Sequence, residues 1–304
     1  MARFTNLSNE LIIAIGSHIR KPAHSLNLVL VNRRTHGLIL PLLYEHIVLH
    51  PNDYPDRTDS KYQRLNPCWM VQFCDNPAVD IGLRSVHTLE IGQDSLCKDF
   101  HSHHLKYILS RTTSLKRFCL LAGSFTYSTL PMVVFALDRV STTLESLDLS
   151  SIYRNTTSEA SGWYYIPGLG HFTALKRLCI TSCCHYHDFW TGMEVPSLRT
   201  LLPVCLQQLE MHRHDDPFVV YSENLFREVV DLMEEGLRTP RPLRSVTLCL
   251  FSEGEVKPVA KERVQKVSDR LDLATAKLNQ QGIDMNAKVR LVGVPIPLAE
   301  ILDH

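Results

Sequence analysis

The stretch LESLDL, residues 144–149, carries the pattern that decides the fold: leucines at its first, fourth and sixth positions, with polar residues between them. The pattern occurs six times, with starts spaced 29, 29, 31, 31 and 37 residues apart. Chance does not give six copies at nearly constant spacing, so the chain contains an internal repeat. The apolar positions are Val86/Leu89/Ile91, Leu115/Phe118/Leu120, Leu144/Leu147/Leu149, Leu175/Leu178/Ile180, Leu206/Leu209/Met211 and Leu243/Val246/Leu248.

Each copy is predicted to form one short strand whose alternating apolar side chains enter a shared core. Segments with helical character lie between the strands. A strand and a helix in roughly 29 residues resemble the leucine-rich-repeat unit, whose parallel strands line the inside of a curved solenoid. A seventh copy, Tyr44/Ile47/Leu49, would join the preceding segment to the array.

The array departs from the leucine-rich-repeat pattern in its turns. Eight positions after the start of each copy the family usually has Asn or Cys, and of the residues found there only Cys183 fits. The residues at this position are Asp94, Gly123, Ile152, Cys183, His214 and Phe251. We therefore expect an irregular array with well-defined strands and variable turns.

The first fifty residues predict three short helices. Ser8 is a suitable N-cap for a helix with an apolar stripe, and Pro22 lies just past its end. Two further helices are predicted over about 24–32 and 33–46, with a kink near Pro41. Physical reasoning leaves two possibilities open: a cap over the repeats, or a docking module whose apolar face belongs to a partner.

The opening segment resembles the F-box. Leu7-Ser8-Asn9-Glu10-Leu11-Ile12, followed by Ile15, is similar to the F-box start Leu-Pro-x-Glu-Leu/Ile, and LNLVLVNRRTHGLILPLLYEHIVL is similar to its continuation in fungal F-box proteins. Ser8 replaces the usual Pro, which puts adaptor affinity in doubt more than helix formation. The resemblance implies binding to the Skp-type adaptor subunit of a cullin–RING ubiquitin ligase. The matching positions are Leu7, Glu10, Leu11, Ile12, Ile15, Leu28, Val31 and Arg33.

These observations predict an α/β fold: a short N-terminal three-helix F-box-like segment followed by an irregular leucine-rich-repeat solenoid with a parallel sheet. The predicted divisions are an F-box-like helical domain over 1–50, a linker over 51–80 and the solenoid over 81–304. A C-terminal helix with apolar residues at Val264, Val267, Leu271 and Leu278, followed by the strand KVRLVGV, is expected to cap the solenoid.

The composition narrows the class of partner. The 32 Lys and Arg residues equal the 32 Asp and Glu residues, so the formal net charge is zero, which argues against nucleic acid as the main partner. No apolar run approaches 18 residues and no export signal is seen, so we expect no membrane partner and a cytoplasmic or nuclear location. The nine cysteines are then expected to be small buried residues or, less often, metal ligands.

Residues flanking the inward leucines are expected to face the concave side, where solenoids bind partners. Basic residues at two copies flank acidic residues at Glu145 and Asp148, and this mixed charge favours a protein client. The candidate client-binding residues are His87, Lys116, Arg117, Glu145, Asp148, Lys176, Arg177, Gln207, Glu210 and Arg244. The aromatic stretch over 162–172 is either an additional anchor or the buried filling of a loop.

No phosphate-binding loop, nucleophile elbow or zinc-protease helix is present in the sequence. Clusters of His and Cys occur at 101–104, 179–188 and 212–217, and the last two follow consecutive strands. Their spacing matches no zinc-finger pattern, so polar loops are the favoured interpretation, and no metal, cofactor or catalytic residue is predicted.

Three functions remain open at this stage. The first is a substrate-recognition adaptor of a Skp–cullin–F-box ubiquitin ligase that is not itself an enzyme. The second is a leucine-rich-repeat scaffold without ligase association, which predicts that Leu7, Leu11 and Ile15 are buried within this chain. The third is a metal-dependent enzyme that uses the His and Cys clusters, a hypothesis that stoichiometric zinc would support.

Overall fold

The computed structural model describes residues 7–19, 22–49, 63–65, 82–93, 102–122, 129–149, 168–181, 197–214, 220–235, 242–253 and 258–294. The chain forms two compact units, Met1–Leu144 and Glu145–His304. The sequence-based division at residues 50 and 80 remains a prediction.

Three helices open the first unit: α1 (Asn9–His18), α2 (Pro22–Val29) and α3 (Arg33–Tyr44). Ser8 caps α1 as predicted, its hydroxyl accepting a hydrogen bond from the Leu11 N–H. The second helix runs over 22–29 instead of about 24–32. The predicted boundary was wrong because Pro22, interpreted as the stop of the first helix, is the first residue of the second, where its fixed φ suits a helix start.

The helices pack around a small apolar core. Ile12, Val29 and Ile39 are buried there, one from each helix, and leucines including Leu7 and Leu28 pack around them. Gly16 lets α1 approach α3 closely, since a β-carbon at Gly16 would overlap Cδ1 of Ile39. The segment therefore has a core of its own within the first unit.

The first unit contains a parallel sheet. Its strands are β1 (His46–Leu49), β2 (Gln63–Leu65), β3 (Thr88–Gln93) and β4 (Arg117–Ala122), arranged β2-β1-β3-β4. Helix α4 (Ser102–Arg111) connects β3 to β4, and α5 (Thr129–Leu137), with a 3₁₀ turn at Asp138–Val140, follows β4. Strand β2 falls in the segment predicted as a linker.

The second unit also contains a parallel sheet. Strands β5 (Ser146–Leu149), β6 (Arg177–Thr181), β7 (Gln208–His214), β8 (Ser245–Glu253) and β9 (Asn286–Val294) lie side by side in chain order. Between them lie α6 (Leu198–Leu201), α7 (Val220–Glu235) and α8 (Pro258–Gln280). Helix α8 buries Leu271 and Leu278, and with β9 it confirms the predicted C-terminal helix and strand.

The repeat sets the register of both sheets. Leu147, Leu178, Leu209 and Val246 are successive partners across four strands, as are Leu149, Ile180, Met211 and Leu248. All eighteen apolar positions of the six copies are at most 6% exposed. The seventh copy is confirmed too, because Ile47 pairs with Leu89 and Leu49 pairs with Ile91. The predicted α/β class with parallel strands is therefore correct.

A repeated backbone contact begins each strand. The carbonyl of the residue before a strand accepts hydrogen bonds from two successive N–H groups of the following copy. It does so at Glu45, His87, Glu145, Lys176 and Gln207, with donor–acceptor distances of 2.8–3.1 Å. This contact satisfies the hydrogen-bonding groups of the backbone where the chain enters the sheet, so it fixes the strand register even where the turn sequences vary.

Candidate functional site

The N-terminal helices expose an apolar face. Leu11 is 53% exposed, Ile15 is 40% exposed and Val31 is 54% exposed, whereas Leu7 and Leu28 are half-buried against the helical core. Ile12, predicted to contact an adaptor, is instead buried inside that core. Five of the eight exposed large apolar residues found in the described parts of the chain lie between Leu11 and Val31.

Polar contacts hold this face in position. Arg34, at the start of α3, donates to Oδ1 of Asn9 at 2.7 and 2.9 Å and to the Leu7 carbonyl at 2.8 Å. Asn32 and Thr35 form a capping box at the same helix end, with hydrogen bonds of 2.9 and 3.1 Å. These contacts tie the first turn of α3 to the first turn of α1, so the exposed apolar residues stand on a fixed support.

Two charged residues among the predicted adaptor-binding positions belong to these helices. Glu10 and Arg33 are both exposed. A backbone hydrogen bond lowers the pKa of Glu10, and the Ser8 hydroxyl and the charge of Arg34 lower it further. The carboxylate therefore stays ionised at neutral pH, at a helix N-terminus where negative charge is favourable.

The candidate client-binding residues lie on or just before the strands. Lys116, Arg117, Lys176, Arg177 and Arg244 are exposed, and the other five are partly buried: His87, Glu145, Asp148, Gln207 and Glu210. Lys176 Nζ lies 2.9 Å from Glu145 Oε2, so an acidic and a basic position from adjacent copies pair with each other. Nδ1 of His87 lies 3.8 Å from Oε1 of Glu45. In the second unit, the predicted basic and acidic positions Lys176 and Glu145 therefore partly neutralise each other.

One row of outward positions crosses the second sheet. Asp148, Cys179, Glu210, Thr247 and Lys288 are successive register partners on β5 to β9. The next outward row contains Thr181, His212, Cys249 and Arg290. Parallel pairing thus brings two thiols, an imidazole and a carboxylate from three adjacent strands onto one face.

Three of these side chains converge. Nε2 of His212 lies 2.8 Å from Oε1 of Glu210 and 3.6 Å from Sγ of Cys179. All three donor atoms lie within 4.8 Å of one another, and each residue is partly buried. Cys249, which is buried, donates its thiol proton to the same Glu210 oxygen over 3.4 Å. The donor set is typical of transition-metal ligands.

Burial and hydrogen bonding set the protonation of this cluster. Burial raises the pKa of Cys249 to about 11, and the hydrogen bond to Glu210 adds to the effect. Burial alone would raise the pKa of Glu210, but hydrogen bonds from His212 and Cys249 outweigh it and leave that pKa below its usual value. At neutral pH the cluster therefore contains an ionised carboxylate and a neutral Cys249 thiol.

The sequence-based placement of the His and Cys clusters was wrong in one respect. His212 and His214 lie within β7, not beyond it. Residues 182–188 and 215–217, which supplied the other candidate ligands, lie outside the described residues. The signal for the observed cluster was the two-residue alternation of strands: Glu210 and His212 are two apart, and Cys179 aligns with Glu210.

The other described cysteines have different surroundings. Cys205 donates to the carbonyls of Phe172 and Leu175, each over 3.2 Å. Cys119 is buried, and none of the four cysteines in the described ranges forms a disulfide.

Of the aromatic stretch over 162–172, the structure describes residues 168–172. Leu169 and Phe172 are buried there, which favours the interpretation that this part fills the interior of a loop.

Comparison of the sequence with known proteins identified no relative: no family model matches the chain, and no curated protein matches it. No helix within the described ranges is long and apolar enough to cross a membrane. The chain is thus defined by its architecture, as an α/β protein with parallel strands set by a sequence repeat.

Proposed function

We propose that this chain is a substrate-recognition adaptor of a Skp–cullin–F-box type ubiquitin ligase. In this proposal the N-terminal helices bind the Skp-type subunit, and the outward face of the repeats binds a protein client. The repeats form an irregular leucine-rich-repeat solenoid. The chain contributes proximity, because holding a client near the transfer enzyme raises its effective concentration there.

One observation carries the proposal: Leu11, Ile15 and Val31 are exposed although the helical core is complete without them. A helix that only caps a solenoid turns its apolar residues inward, whereas a docking helix keeps part of its apolar face for a partner. The scaffold alternative predicts that Leu7, Leu11 and Ile15 are buried within the chain. Leu7 is partly buried against the helical core, whereas Leu11 and Ile15 are exposed. Five of the eight exposed large apolar residues in the described parts of the chain lie in this segment, and exposed apolar surface of this kind is typical of protein-binding regions.

The repeat face supports the second half of the proposal. It presents both charges in alternation, with the Lys176–Glu145 pair about half exposed on each side. Exposed ion pairs of this kind contribute only about 0–1 kcal/mol to stability, so exchanging one for contacts with a client costs little. Arg117 and Arg177 stand on equivalent positions of their strands and offer planar guanidinium donors to acidic side chains.

The test is co-purification of the full chain with a Skp-type adaptor. We expect a stoichiometric complex with the wild-type chain and none with Ile15→Asp or Val31→Asp, since a buried charge would face the partner's apolar surface. Leu273→Asp is the matched control, because Leu273 is an equally large apolar residue, 60% exposed on α8, outside the proposed surface.

Each variant's fold is checked by circular dichroism before binding is scored. A wild-type chain that does not bind any Skp-type adaptor would refute the ligase proposal and favour the scaffold. Equal binding by folded Ile15→Asp, Val31→Asp and wild-type chains would refute the proposed surface.

A further inference from the structure

We propose that Cys179, Glu210 and His212 form a zinc-binding site on the outward face of the second sheet. The ligand atoms are Cys179 Sγ, a Glu210 carboxylate oxygen and His212 Nε2. The site does not depend on adaptor binding, because none of the three residues belongs to the N-terminal helices. It lies on the face proposed to bind a client, and Glu210 is one of the candidate client-binding residues.

The geometry fits one ion. Atoms bound to a single tetrahedral zinc at about 2.0–2.3 Å lie roughly 3.3–3.6 Å from each other. The Cys179 Sγ to His212 Nε2 separation is 3.6 Å, which already matches. The His212 Nε2 to Glu210 Oε1 separation of 2.8 Å is a hydrogen bond, and it opens by roughly half an ångström when both atoms turn their lone pairs to a metal.

The strands make the site rigid. Cys179 and Glu210 are direct register partners on β6 and β7, so their relative positions are set by the ladder and not by a loop. His212 follows Glu210 by two residues and therefore projects from the same face of β7. Ligands on paired strands need little ordering when a metal binds, which favours affinity.

The chemistry favours zinc over hard cations. A thiolate and an imidazole are ligands of zinc and other transition metals, whereas magnesium and calcium require oxygen ligands. Zinc binding displaces the Cys179 thiol proton to solvent. His212 binds zinc as the neutral tautomer with its proton on Nδ1, so the Nε2 proton that it donates to Glu210 exchanges through water to Nδ1. Three protein ligands leave the fourth position to a water molecule.

Cys249 is assigned a positioning role. Its thiol donates to the Glu210 carboxylate from β8, which orients that ligand in the way that outer contacts orient metal ligands. Loss of such a contact typically weakens metal affinity by about 10–100-fold without removing the site.

The test measures zinc in the full-length chain, reduced, mixed with excess Zn²⁺ and freed of loose metal by dialysis. We expect one equivalent by elemental analysis, and a near-ultraviolet thiolate-to-cobalt absorption band when Co²⁺ replaces Zn²⁺. Cys179→Ser and His212→Gln should each lower affinity by more than about 100-fold, and Cys249→Ser by about 10–100-fold. A competing chromophoric chelator measures these affinities.

Two control variants make the result specific. Cys205→Ser removes a thiol that donates to Phe172 and Leu175 carbonyls, and it should keep the zinc and the cobalt band. Cys183→Ser/Cys184→Ser removes the thiols of the adjacent sequence cluster, and it should also keep both. A wild-type chain without stoichiometric zinc overturns the proposal. The proposal is also overturned if the folded Cys179→Ser variant retains the zinc, or if only the Cys183→Ser/Cys184→Ser variant loses it.

Discussion

Phe118 fills the centre of the first unit's sheet core. It lies on β4 with Leu89 of β3 as its register partner, and it is fully buried. Removal of a fully buried aromatic ring leaves a cavity that the neighbours fill only in part. We expect Phe118→Ala to lower the free energy of unfolding by about 3–5 kcal/mol, measured by urea unfolding followed by circular dichroism.

The matched control is Phe135→Ala on α5. Phe135 is 64% exposed, and the Lys106 ammonium lies 5.8 Å from the centroid of its ring. We expect a loss below about 1 kcal/mol, since an exposed cation–π contact contributes about 0.5–1 kcal/mol. Equal losses for the two phenylalanines would contradict the burial of Phe118.

Two glycines of the helical segment have opposite roles. A β-carbon at Gly37 on α3 meets no atom within 4 Å, while one at Gly16 would overlap Ile39 Cδ1 and lie 3.1 Å from Leu42 Cδ1. Gly37→Ala should therefore stabilise the protein by about 0.5–1 kcal/mol, because alanine loses less entropy in a helix. Gly16→Val should destabilise it by about 1–3 kcal/mol through overpacking.

Thermal unfolding of both glycine variants beside the wild type provides the measurement. An increase in the melting temperature for Gly37→Ala and a decrease for Gly16→Val are expected. A stabilising Gly16→Val would mean that α1 does not pack closely on α3.

At the residue scale, alternation predicted the core and overlooked the cluster. The repeat pattern correctly predicted eighteen buried positions, because apolar side chains that alternate along a strand all lie on the same face of the sheet. The repeat aligns Cys179 with Glu210, because both are the fifth residue of their copies. The cluster was overlooked because His212 follows the last apolar position of its copy and was expected beyond the strand, whereas it lies within β7.

At the element scale, the start of α3 depends on a single cap. Asn32 Oδ1 accepts from the Thr35 N–H at 2.9 Å, and Thr35, fully buried, returns a contact to the Asn32 N–H at 3.1 Å. Asn32→Ala should lower the free energy of unfolding by about 1 kcal/mol. Asn32→Asp should retain most of the stability that the cap contributes, since aspartate caps a helix as well as asparagine does.

The Ser8 cap of α1 can be compared with the Asn32 cap of α3. The Ser8 hydroxyl lies 3.4 Å from the Leu11 nitrogen in an exposed position, a longer contact than the one at Asn32. Ser8→Ala should therefore cost less than Asn32→Ala in the same urea experiment. The reverse order would show that the α3 capping box contributes little.

Helix and strand boundaries were predictable where one local signal decides them. Ser8 and the apolar stripe were enough for α1, and leucine periodicity was enough for β3 to β8. Pro22 was ambiguous, because proline both follows helix ends and occupies the first position of helices. Strand β2, only Gln63–Leu65, has too few residues to show a period and was missed for that reason.

At the scale of the whole molecule, each strand depends on its neighbours in the chain. Strand β1 is hydrogen-bonded to β2 and β3, so a residue that joins a helix to β1 affects both the helices and the sheet of the first unit. Tyr44 is such a residue. It ends α3, one residue before β1 begins, and its ring lies over Gly82, where a β-carbon would be 2.7–2.8 Å from three ring atoms.

Ionisation of Tyr44 makes the stability of the folded protein depend on pH in the alkaline range. Burial raises the pKa of its hydroxyl above the ordinary value of 10.0. Above that pH the unfolded chain loses the Tyr44 proton while the folded chain keeps it, so the folded state binds more protons and stability falls as pH rises. Below pH 10.0 the hydroxyl is neutral in both states, and the contribution is fully present.

Tyr44→Phe isolates this effect, since phenylalanine keeps the ring over Gly82 and cannot ionise. The measurement is the urea midpoint of both proteins at pH 8 and at several values above 10. We expect the wild-type midpoint to fall more steeply than that of Tyr44→Phe once the pH exceeds the ordinary tyrosine pKa of 10.0. Parallel decreases would mean that the Tyr44 hydroxyl is as accessible to solvent in the folded state as in the unfolded state, which would contradict its partial burial at the end of α3.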